Sequence, residues 1–257
     1  MKKSTNLIFL LSAVLFCGCS PFKHTLSVMT YNVGVFDKYM DDSMDDIAAM
    51  VRSLGVDVVA LNELDSCNRR HDTYQLKDFA QALGGWDYSY SGSFAFAGGS
   101  YGNGIVSRDA ISYSEKVLLP VSDGAEQRSM LIVETEKFVM ACTHLDHKGQ
   151  NARMDQVNFI DSLMYSRYGN SDKPVFLCGD LNSTPEDQVV RKLLEHWILL
   201  SVTDKTWPSK CPEECLDYIL CLNTDNISRI RKSYIPVYEG MSEFSDHLPL
   251  VVELELK

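Results

Sequence analysis

The stretch Val56-Asp57-Val58-Val59-Ala60-Leu61-Asn62-Glu63 gives the first indication of the fold. It is a short apolar run, rich in β-branched residues, and it ends on a carboxylate. A run of this kind predicts a strand that is buried on both faces, as in an α/β protein. We therefore expect an inner strand whose last residue, Glu63, reaches a polar site.

The segment before this strand predicts another strand and a helix. Leu26 and Val28 alternate with small or polar residues within the run 25–32, which ends on Asn32. A helix is predicted to follow the Asp41-Asp42-Ser43 opening, with apolar residues at helical spacing and Gly55 as its stop. A strand, a helix and a strand with polar residues at the strand ends are typical of an α/β site.

The remainder of the chain contains further predicted strands and three further helices. The strands between residues 86 and 145 follow one another closely, which favours antiparallel pairing. Strands are predicted at 86–91, 101–108, 111–119, 129–134, 137–145, 174–180, 215–222, 227–237 and 248–256, and helices at 74–83, 151–168 and 186–197.

The composition suits one large domain and argues against a sequence-independent nucleic-acid binder. The chain has 257 residues, of which 45% are hydrophobic and 23% are charged, and this suits one large globular domain with a full core. Without residues 1–18 it would keep 22 basic and 35 acidic residues, a formal charge of −13. Such a surface repels polyanions, because nucleic-acid binding depends on basic side chains that neutralise phosphates. A small phosphate ester held by a metal is still compatible with this charge.

The first residues predict an export signal. Lys2 and Lys3 precede an apolar run that is too short to be a comfortable membrane anchor, and Gly18-Cys19 closes it. This ending resembles a bacterial lipobox, which implies cleavage before Cys19, lipidation of Cys19 and a tether over residues 19–24. The protein would then be exported and anchored by lipid to a membrane of the bacterial cell envelope. A plain secretory signal and a cytosolic protein are the alternatives.

The remaining cysteines predict buried thiols and leave one disulfide open. Cys142 and Cys178 lie in apolar strand-like runs and are predicted to be buried and free. Cys211 and Cys215 lie in a loop, where an exported protein could oxidise them to a disulfide. A zinc site is less consistent with the sequence, because no second ligand pair lies near this CxxxC spacing.

Polar residues collect at the ends of several predicted strands, and Asp217 lies inside another. Taken singly, each has a structural alternative as a turn former, a helix cap or a salt-bridged edge residue. Burying Asp217 within Leu216-Asp217-Tyr218-Ile219-Leu220 is costly unless it is paired. Together they suit phosphate ester hydrolysis, which needs oxygen ligands for a hard cation, a base for water and donors for the developing charge. The set is Asn32, Glu63, His144, Asp146, Asp180, Asn182, Asp217, Asp246 and His247.

In their order along the chain, these motifs resemble the endonuclease/exonuclease/phosphatase superfamily. The motifs are Thr30-Tyr31-Asn32, Leu61-Asn62-Glu63, Thr143-His144-Leu145-Asp146, Gly179-Asp180-Leu181-Asn182, Leu216-Asp217-Tyr218-Ile219-Leu220 and Ser245-Asp246-His247-Leu248-Pro249. The resemblance covers residues 25–257 and implies that they form the catalytic domain. Two local stretches, 101–108 and Thr206-Trp207-Pro208-Ser209, are similar to compact bacterial members that are described as metal-dependent hydrolases. It implies the DNase I-like fold, an α/β four-layer sandwich of two packed mixed β-sheets flanked by helices.

The resemblance also implies roles for eight of these nine polar residues, all except Asp146. The metal would be Mg²⁺, with Mn²⁺ as an alternative, and its ligands would be Glu63, Asn32 and Asp246. The catalytic residues would be Asp180, which orients or deprotonates water, Asn182, His144, and His247 with its orienting partner Asp217. Asn103 and Arg128 are predicted to bind the substrate phosphate, and Cys19 to carry the lipid.

Two departures from the family pattern concern the residue beside the metal ligand and the substrate signature. Asn62 stands where the family often has Gln, and Ser183-Thr184-Pro185 replaces the aromatic and Arg pair of inositol-phosphate phosphatases. There is also no long basic or aromatic loop of the kind with which DNA-cleaving members grip a duplex. We therefore expect a small phosphoester or a lipid headgroup as substrate, with nucleic acid less favoured. A secreted DNase-like endonuclease and a catalytically decayed binding lipoprotein are the alternative hypotheses.

Overall fold

The computed structural model describes residues 25–122, 125–222 and 224–257. The predicted signal peptide over residues 1–18, the lipidation site Cys19 and the tether lie outside these described residues. The described strands are β1 Thr25–Asn32, β2 Val58–Ser66, β3 Asp87–Phe96, β4 Gly99–Ser107, β5 Tyr113–Leu118, β6 Ser129–Glu134, β7 Val139–His144, β8 Val175–Asp180, β9 Ile198–Leu199, β10 Asp217–Cys221, β11 Ile227–Tyr234 and β12 Leu250–Leu256. The helices are α1 Met44–Ser53, α2 Gln75–Ala82, α3 Gln150–Tyr168, α4 Gln188–Leu193 and α5 Met241–Phe244, with a 3₁₀ turn at Gly34–Phe36.

The strands form two mixed sheets of six strands each. The first sheet has the order β11-β12-β1-β2-β4-β3, and the second has the order β5-β6-β7-β8-β10-β9. In each sheet one central pair is parallel, β1 with β2 and β7 with β8, and the remaining pairs are antiparallel. The antiparallel pairing predicted for the middle of the chain is confirmed.

Three hydrophobic clusters divide the molecule into four layers. One cluster joins the outer face of the first sheet to α1 and α2, and its members include Tyr31 and Leu61 of the sheet and Ile47 and Phe79 of the helices. The second fills the space between the sheets, and the third joins the second sheet to α3 and α4. Successive residues of β1, such as Val28 and Met29, belong to different clusters because successive side chains point to opposite faces of the sheet. The predicted four-layer sandwich is confirmed.

Several elements differ from the sequence prediction at their ends. The helix predicted over residues 186–197 is only α4, because the backbone N–H groups of Glu195 and His196 bond to carbonyls three residues back, those of Lys192 and Leu193, and no longer four residues back. The chain then turns into the two-residue strand β9, which pairs with β10. The short helix α5, just before the Ser245-Asp246-His247 motif, was not predicted.

The cysteines of the described part of the chain are all free thiols. Cys142 and Cys178 are buried between the sheets, as predicted. Cys211 is exposed and Cys215 is buried, and no disulfide joins them. Among the described residues, no helix is long and apolar enough to cross a membrane.

Candidate active site

The ends of four strands place the predicted polar residues at one edge of the two sheets. Asn32 and Asn62 are partners in the parallel pair of β1 and β2, and His144 and Asp180 are partners in the parallel pair of β7 and β8. Asp217 begins β10 opposite Asp180, because β10 runs antiparallel to β8. These strand ends lie at one edge of the two packed sheets, so residues from distant parts of the sequence come together there.

A bulge in β2 turns Glu63 out of the strand. The register between β2 and β4 shifts between Leu61 and Leu64, and Glu63 has a backbone φ of +58°. A bulge redirects a side chain, and a positive φ in a residue other than glycine is a strained conformation that recurs at functional sites. The carboxylate of Glu63 consequently faces the cavity at the strand ends.

Asn62, just before the bulge, ties the two sheets together. Its Nδ2 donates to Oδ1 of Asn103 and to the carbonyl oxygen of Thr143, each over 2.9 Å. Its Oδ1 accepts from the backbone N–H of Asp180 over 3.0 Å. The buried amide thus fixes the end of β8, and with it Asp180, against the first sheet.

An open cavity of about 620 Å³ lies at this edge of the sheets. Six of the predicted site residues line it, namely Glu63, His144, Asp180, Asn182, Asp246 and His247. Asn32 and Asp217 lie directly behind this lining, where they bond to residues of it. The structure therefore brings together eight of the ten residues to which the sequence assigned metal, catalytic or phosphate roles.

His247 is oriented by a buried carboxylate. Its Nδ1–H donates to Oδ2 of Asp217 over 2.9 Å, and its Nε2 lies 3.6 Å from Oδ2 of Asp180. Burial alone would lower the pKa of His247, but the charges of Asp217 and Asp180 outweigh it and raise the pKa to about 10. Asp217 therefore holds His247 as a cation whose Nε2–H points toward Asp180.

Asp180 is buried among several donors. Burial raises the pKa of Asp180 to about 7, against the lowering influence of the His247 charge. Its Oδ1 accepts the backbone N–H of Asn182 over 2.8 Å, and its Oδ2 accepts Nδ2 of Asn32 over 3.1 Å. A carboxylate whose pKa lies near neutral pH suits proton transfer at that pH.

His144 is the uncharged counterpart of His247. Its Nε2 lies 3.4 Å from Oδ2 of Asp180, and its side chain is almost completely buried. Burial first, and then the charges of Arg128 and His247, hold the pKa of His144 well below its ordinary value. The site consequently has one neutral and one cationic imidazole on either side of Asp180.

Glu63 and Asp246 both form an ion pair with the side chain of Lys38. The Lys38 ammonium lies 3.4 Å from Oε2 of Glu63 and 3.6 Å from Oδ2 of Asp246. Two carboxylates that converge on one positive charge match the oxygen donors that a hard divalent cation prefers. The residues present therefore fit the predicted metal, with Lys38 in the space between the two carboxylates.

Asn32 does not present a ligand atom to that space in its observed orientation. Its Oδ1 accepts the backbone N–H of Gly34 over 3.2 Å, and its Nδ2 donates to Oε1 of Glu63 over 3.3 Å. An amide nitrogen with its protons is a donor, so the terminal amide of Asn32 would have to turn before its oxygen could bind a cation.

A second group with ligand-type atoms is formed by Asp180, Asp217 and His247, which bring one such atom each within 4.8 Å of one another. The same atoms are already joined by the hydrogen bond between His247 and Asp217. Glu63 and Asp246 are the better candidates for a metal. Among the described residues, they share one ion-pair partner, Lys38, whose long flexible side chain can move away from them.

Asn103 and Arg128 do not reach the cavity, contrary to the direct phosphate contact that the sequence suggested. Asn103 is buried, accepts from Asn62 and donates Nδ2 to the Ser129 carbonyl over 3.0 Å. Arg128 is also buried, with its Nη2 3.0 Å from Oε2 of Glu126 and 3.1 Å from Nδ1 of His147. Neither residue lines the cavity, and the amide of Asn103 is committed to protein partners, whereas the Nε of Arg128 is buried without a hydrogen-bond partner.

Other lining residues had no role assigned from the sequence. They include Lys38, Arg70, Tyr101, His147 and Trp207. Lys38 follows Asn32 by six residues but lies outside every motif, so only the fold places it between Glu63 and Asp246. Tyr101 and Trp207 belong to local matches to bacterial family members, and these matches were the available signal.

A comparison with known families agrees with this geometry. Residues 29–247 match the sequence model of the Endonuclease/Exonuclease/phosphatase family. No curated protein sequence matches the chain. The match contains five of the six motifs from which the resemblance was inferred and the sixth as far as His247.

Solved structures with the same fold include bacterial and animal proteins. An endonuclease/exonuclease/phosphatase from Bacteroides vulgatus has a TM-score of 0.74 and 17% identity, over 91% of this chain and 100% of that one. A mannosyl-6-phosphatase from Bacteroides thetaiotaomicron has a TM-score of 0.70 and 20% identity, over 89% and 99%. The human Nocturnin catalytic domain has a TM-score of 0.69 and 18% identity, over 91% and 94%. At these identities the comparisons establish the fold.

Proposed function

Because the chain belongs to the endonuclease/exonuclease/phosphatase family, whose members hydrolyse phosphate esters, we propose that it is a Mg²⁺-dependent phosphoesterase for small substrates. The observation that carries the proposal is the pairing of Asp180 with an oriented His247 at the wall of one cavity. A base and a proton donor that face the same space are what hydrolysis of a phosphate ester requires.

Asp180 is proposed to orient the attacking water and to take its proton. Its pKa near 7 leaves much of it ionised at neutral pH and still basic enough to accept a proton. The backbone N–H of Asn182 holds Oδ1 of Asp180, and Nδ2 of Asn32 holds Oδ2 as long as the Asn32 amide has not turned toward a metal. The Nδ2 of Asn182 donates to the Leu145 carbonyl over 3.0 Å, which leaves its amide oxygen as an acceptor for the water.

His247 is proposed to stabilise the negative charge that develops on the phosphoryl group. Its charge is maintained by Asp217, and its Nε2–H is the donor on the cavity side. A fixed donor at a buried site stabilises such charge more than water would, because it needs no reorientation during the reaction. Neutral His144 is proposed as a second donor to a phosphate oxygen, from the other side of Asp180.

Glu63 and Asp246 are proposed to hold Mg²⁺, with Asn32 as a third ligand after its amide has turned. Members of the family typically use a divalent metal. A bound divalent cation would neutralise phosphate charge and act as a Lewis acid. Mn²⁺ offers the same oxygen preference and is the alternative metal.

The charge of the chain supports a small substrate in preference to a long polyanion. The whole chain has a formal charge of −11, so a duplex would meet repulsion outside the site. Basic residues of the cavity, such as Arg70, Lys148 and Arg153, can still attract one phosphate group. Charges more than about 8–10 Å apart are largely screened at physiological salt, so local attraction and distant repulsion can coexist.

The test is a comparison of kcat/KM for small phosphate esters with the nicking of supercoiled plasmid. Both are measured at equal Mg²⁺ and ~0.15 M salt. We expect hydrolysis of p-nitrophenyl phosphate or bis-p-nitrophenyl phosphate to be the more efficient and to stop in EDTA. Asp180→Asn is the matched control, because any nicking that survives in it comes from a contaminating nuclease. Asp180-dependent nicking that exceeds small-ester hydrolysis by tenfold would restore the endonuclease hypothesis.

A further inference from the structure

The chain enters the two packed sheets at the edge that lies opposite the cavity. β1 begins at Thr25 and ends at Asn32, which lies directly behind the lining of the cavity. Thr25 pairs with Glu255 near the end of β12, whereas His247 lies just before the start of β12. A strand rises about 3.3 Å per residue, so the eight residues of β1 separate the two edges by roughly 23 Å.

The cavity opens beyond the carboxyl end of β1, on the side that faces away from Thr25. Residues of the loops that follow the strand ends, such as Lys38 and His147, line it. The proposed catalytic groups lie deep inside, since Asp180 is 1% exposed and His247 is 5% exposed. A phosphate group must therefore enter the cavity to reach them, and the mouth lies at least as far from Thr25 as β1 is long.

The lipid anchor that the sequence predicts would restrict how the protein can turn on a membrane. A lipidated Cys19 would lie at the surface of the bilayer, six positions before Thr25. Six residues span at most ~22 Å even when they are fully extended. If the cavity faced the bilayer, Thr25 would lie further from the bilayer than the length of β1, which is roughly 23 Å. The tether is too short for this orientation, because its path around the protein would add to that distance.

Exposed apolar side chains near the cavity offer the alternative, in which the mouth docks on the bilayer. Trp207 is 36% exposed and Val237 is 99% exposed, and tryptophan is enriched at membrane surfaces. However, the Trp207 carbonyl accepts the backbone N–H groups of Glu213 and Glu214, and Glu239 follows Val237 by two residues. These three glutamates are exposed, and anionic lipid headgroups repel them. The charge at the mouth therefore opposes docking.

From these observations we infer that the anchored protein holds its cavity away from the membrane and hydrolyses water-soluble phosphate esters, not the phospholipids of the bilayer that anchors it. The inference rests on the proposed phosphoesterase function and on lipidation of Cys19, and it adds the side from which the substrate arrives. A soluble ester diffuses into the cavity from the aqueous side. A phospholipid would first have to leave the bilayer and expose its acyl chains to water.

Energy transfer to labelled lipids measures the orientation without using activity. The lipidated full-length protein, with the exposed Cys67 and Cys211 replaced by Ser, receives one new cysteine for a fluorophore. Lys257→Cys places the fluorophore at the edge where β1 begins, and Val237→Cys places it at the edge of the cavity. The protein is bound to vesicles of phosphatidylcholine and phosphatidylglycerol that contain an acceptor-labelled lipid.

The label at position 257 should lie nearer to the bilayer than the label at position 237 by about 15 Å or more, which is most of the length of β1. The matched control is Cys19→Ser in each labelled protein, which should not attach and should show no energy transfer. A label at position 237 that lies as near to the bilayer, or nearer, would overturn the inference. A mature protein without lipid on Cys19, as measured by mass spectrometry, would overturn it as well.

Two esters with the same reacting group test the substrate. Methylumbelliferyl phosphate is soluble, whereas heptadecylumbelliferyl phosphate is held in the vesicle by its chain. Anchored wild-type protein should hydrolyse the bilayer-held ester about tenfold more slowly or worse, because a tether that cannot span the distance gives almost no effective concentration. An insertion of about 30 Gly and Ser residues between His24 and Thr25, with an r.m.s. span of roughly 30 Å, should restore this hydrolysis.

The outcomes separate the inference from the proposed function. Equal hydrolysis of the two umbelliferyl esters by anchored wild-type protein would overturn the inference and leave the phosphoesterase intact. Failure of the protein on every ester, including both p-nitrophenyl phosphates, would instead refute the proposed function, and the energy transfer would still report the orientation.

Discussion

At the scale of single residues, the site depends on two histidines in opposite charge states. Both lie within 3.6 Å of Oδ2 of Asp180, yet only His247 has an additional carboxylate on its other ring nitrogen. Asp217 therefore decides that His247 is a cation, whereas burial and the Arg128 charge keep His144 neutral. When two groups of the same type lie in different environments, their pKa values differ, and one can act as an acid while the other acts as a base.

Asp217→Asn should lower kcat by ~10²–10⁴-fold, the range for a general acid–base group, because His247 loses the charge that keeps it protonated. The pKa of His247 in the folded protein lies above its ordinary value of 6.5, so protonation favours the folded state. Its stabilisation is complete below about pH 6.5 and disappears as the pH rises through about 10. The melting temperature of wild type should therefore fall between these pH values more steeply than that of Asp217→Asn.

The matched control for this substitution is Asp161→Asn. Asp161 accepts from Nδ1 of His196 over 2.9 Å, so this pair has the same bond but lies outside the cavity. Asp161→Asn should reduce stability and leave kcat unchanged. A similar loss of kcat in both variants would mean that Asp217 acts through folding alone.

The sequence predicted these residues more reliably than their contacts. Asp180, Asp217 and His247 could be found because strand-end motifs in a fixed order identify the family pattern. Lys38 could not be found from the sequence, since its role depends on a long side chain that reaches across a turn. Asn103 and Arg128 were placed in the substrate site because a polar residue near a motif does not reveal which way it faces. Asn103 bonds to Asn62 and Ser129, and the Nη2 of Arg128 contacts Glu126 and His147.

At the scale of elements, the site depends on how closely β7 and β8 approach. Gly179 has a backbone φ of +135°, and a Cβ there would lie 1.9 Å from the Thr143 carbonyl oxygen. Only glycine fits this position, which lies immediately before Asp180. Because Gly179 has no side chain, β7 and β8 can approach closely enough to position Asp180, the proposed base.

Gly179→Ala should lower the free energy of unfolding by ~1–3 kcal/mol beyond the backbone strain, because the added methyl group forces a backbone shift. Gly84→Ala is the matched control. It also has a positive φ, of +101°, but a Cβ there would meet nothing within 4 Å. The free energy of unfolding of both variants is measured by urea denaturation. Gly84→Ala reports the backbone strain alone, and the additional loss in Gly179→Ala reports the steric overlap. Equal losses of stability would contradict the close approach of the strands.

The type and order of the elements could largely be predicted, but their ends could not. Apolar runs and helical spacing identified the strands and helices because these patterns reflect burial on one or both faces. The shortening of α4 and the presence of β9 depend on Trp197, which is buried in the core beside the second sheet. The bulge at Glu63 arises from the pairing of β2 with β4, which no local pattern specifies.

At the scale of the whole molecule, the proposed attachment to a membrane depends on Cys19. Cys19→Ser should move the protein from the membrane fraction to the soluble fraction, because the several acyl chains of a bacterial lipoprotein anchor firmly. Turnover of the purified domain should not change, since β1 begins at Thr25. Cys17→Ser is the control, because Cys17 would leave with the signal peptide. If Cys19→Ser fractionates like wild type, lipidation at this residue is ruled out.

The proposal as a whole depends on a divalent cation between Glu63 and Asp246. Glu63→Gln removes a negative charge from this space, and Lys38→Met removes the positive charge that the same two carboxylates now contact. The two substitutions should therefore change metal affinity in opposite directions, since each alters the local charge by one unit.

Calorimetric titration of Mg²⁺ into wild type, Glu63→Gln and Lys38→Met is the most direct measurement of this claim. We predict saturable binding to wild type, at least tenfold weaker binding to Glu63→Gln and tighter binding to Lys38→Met, with all three proteins folded. The same affinity in all three proteins, or no binding to wild type, would contradict the metal site and with it the proposed mechanism.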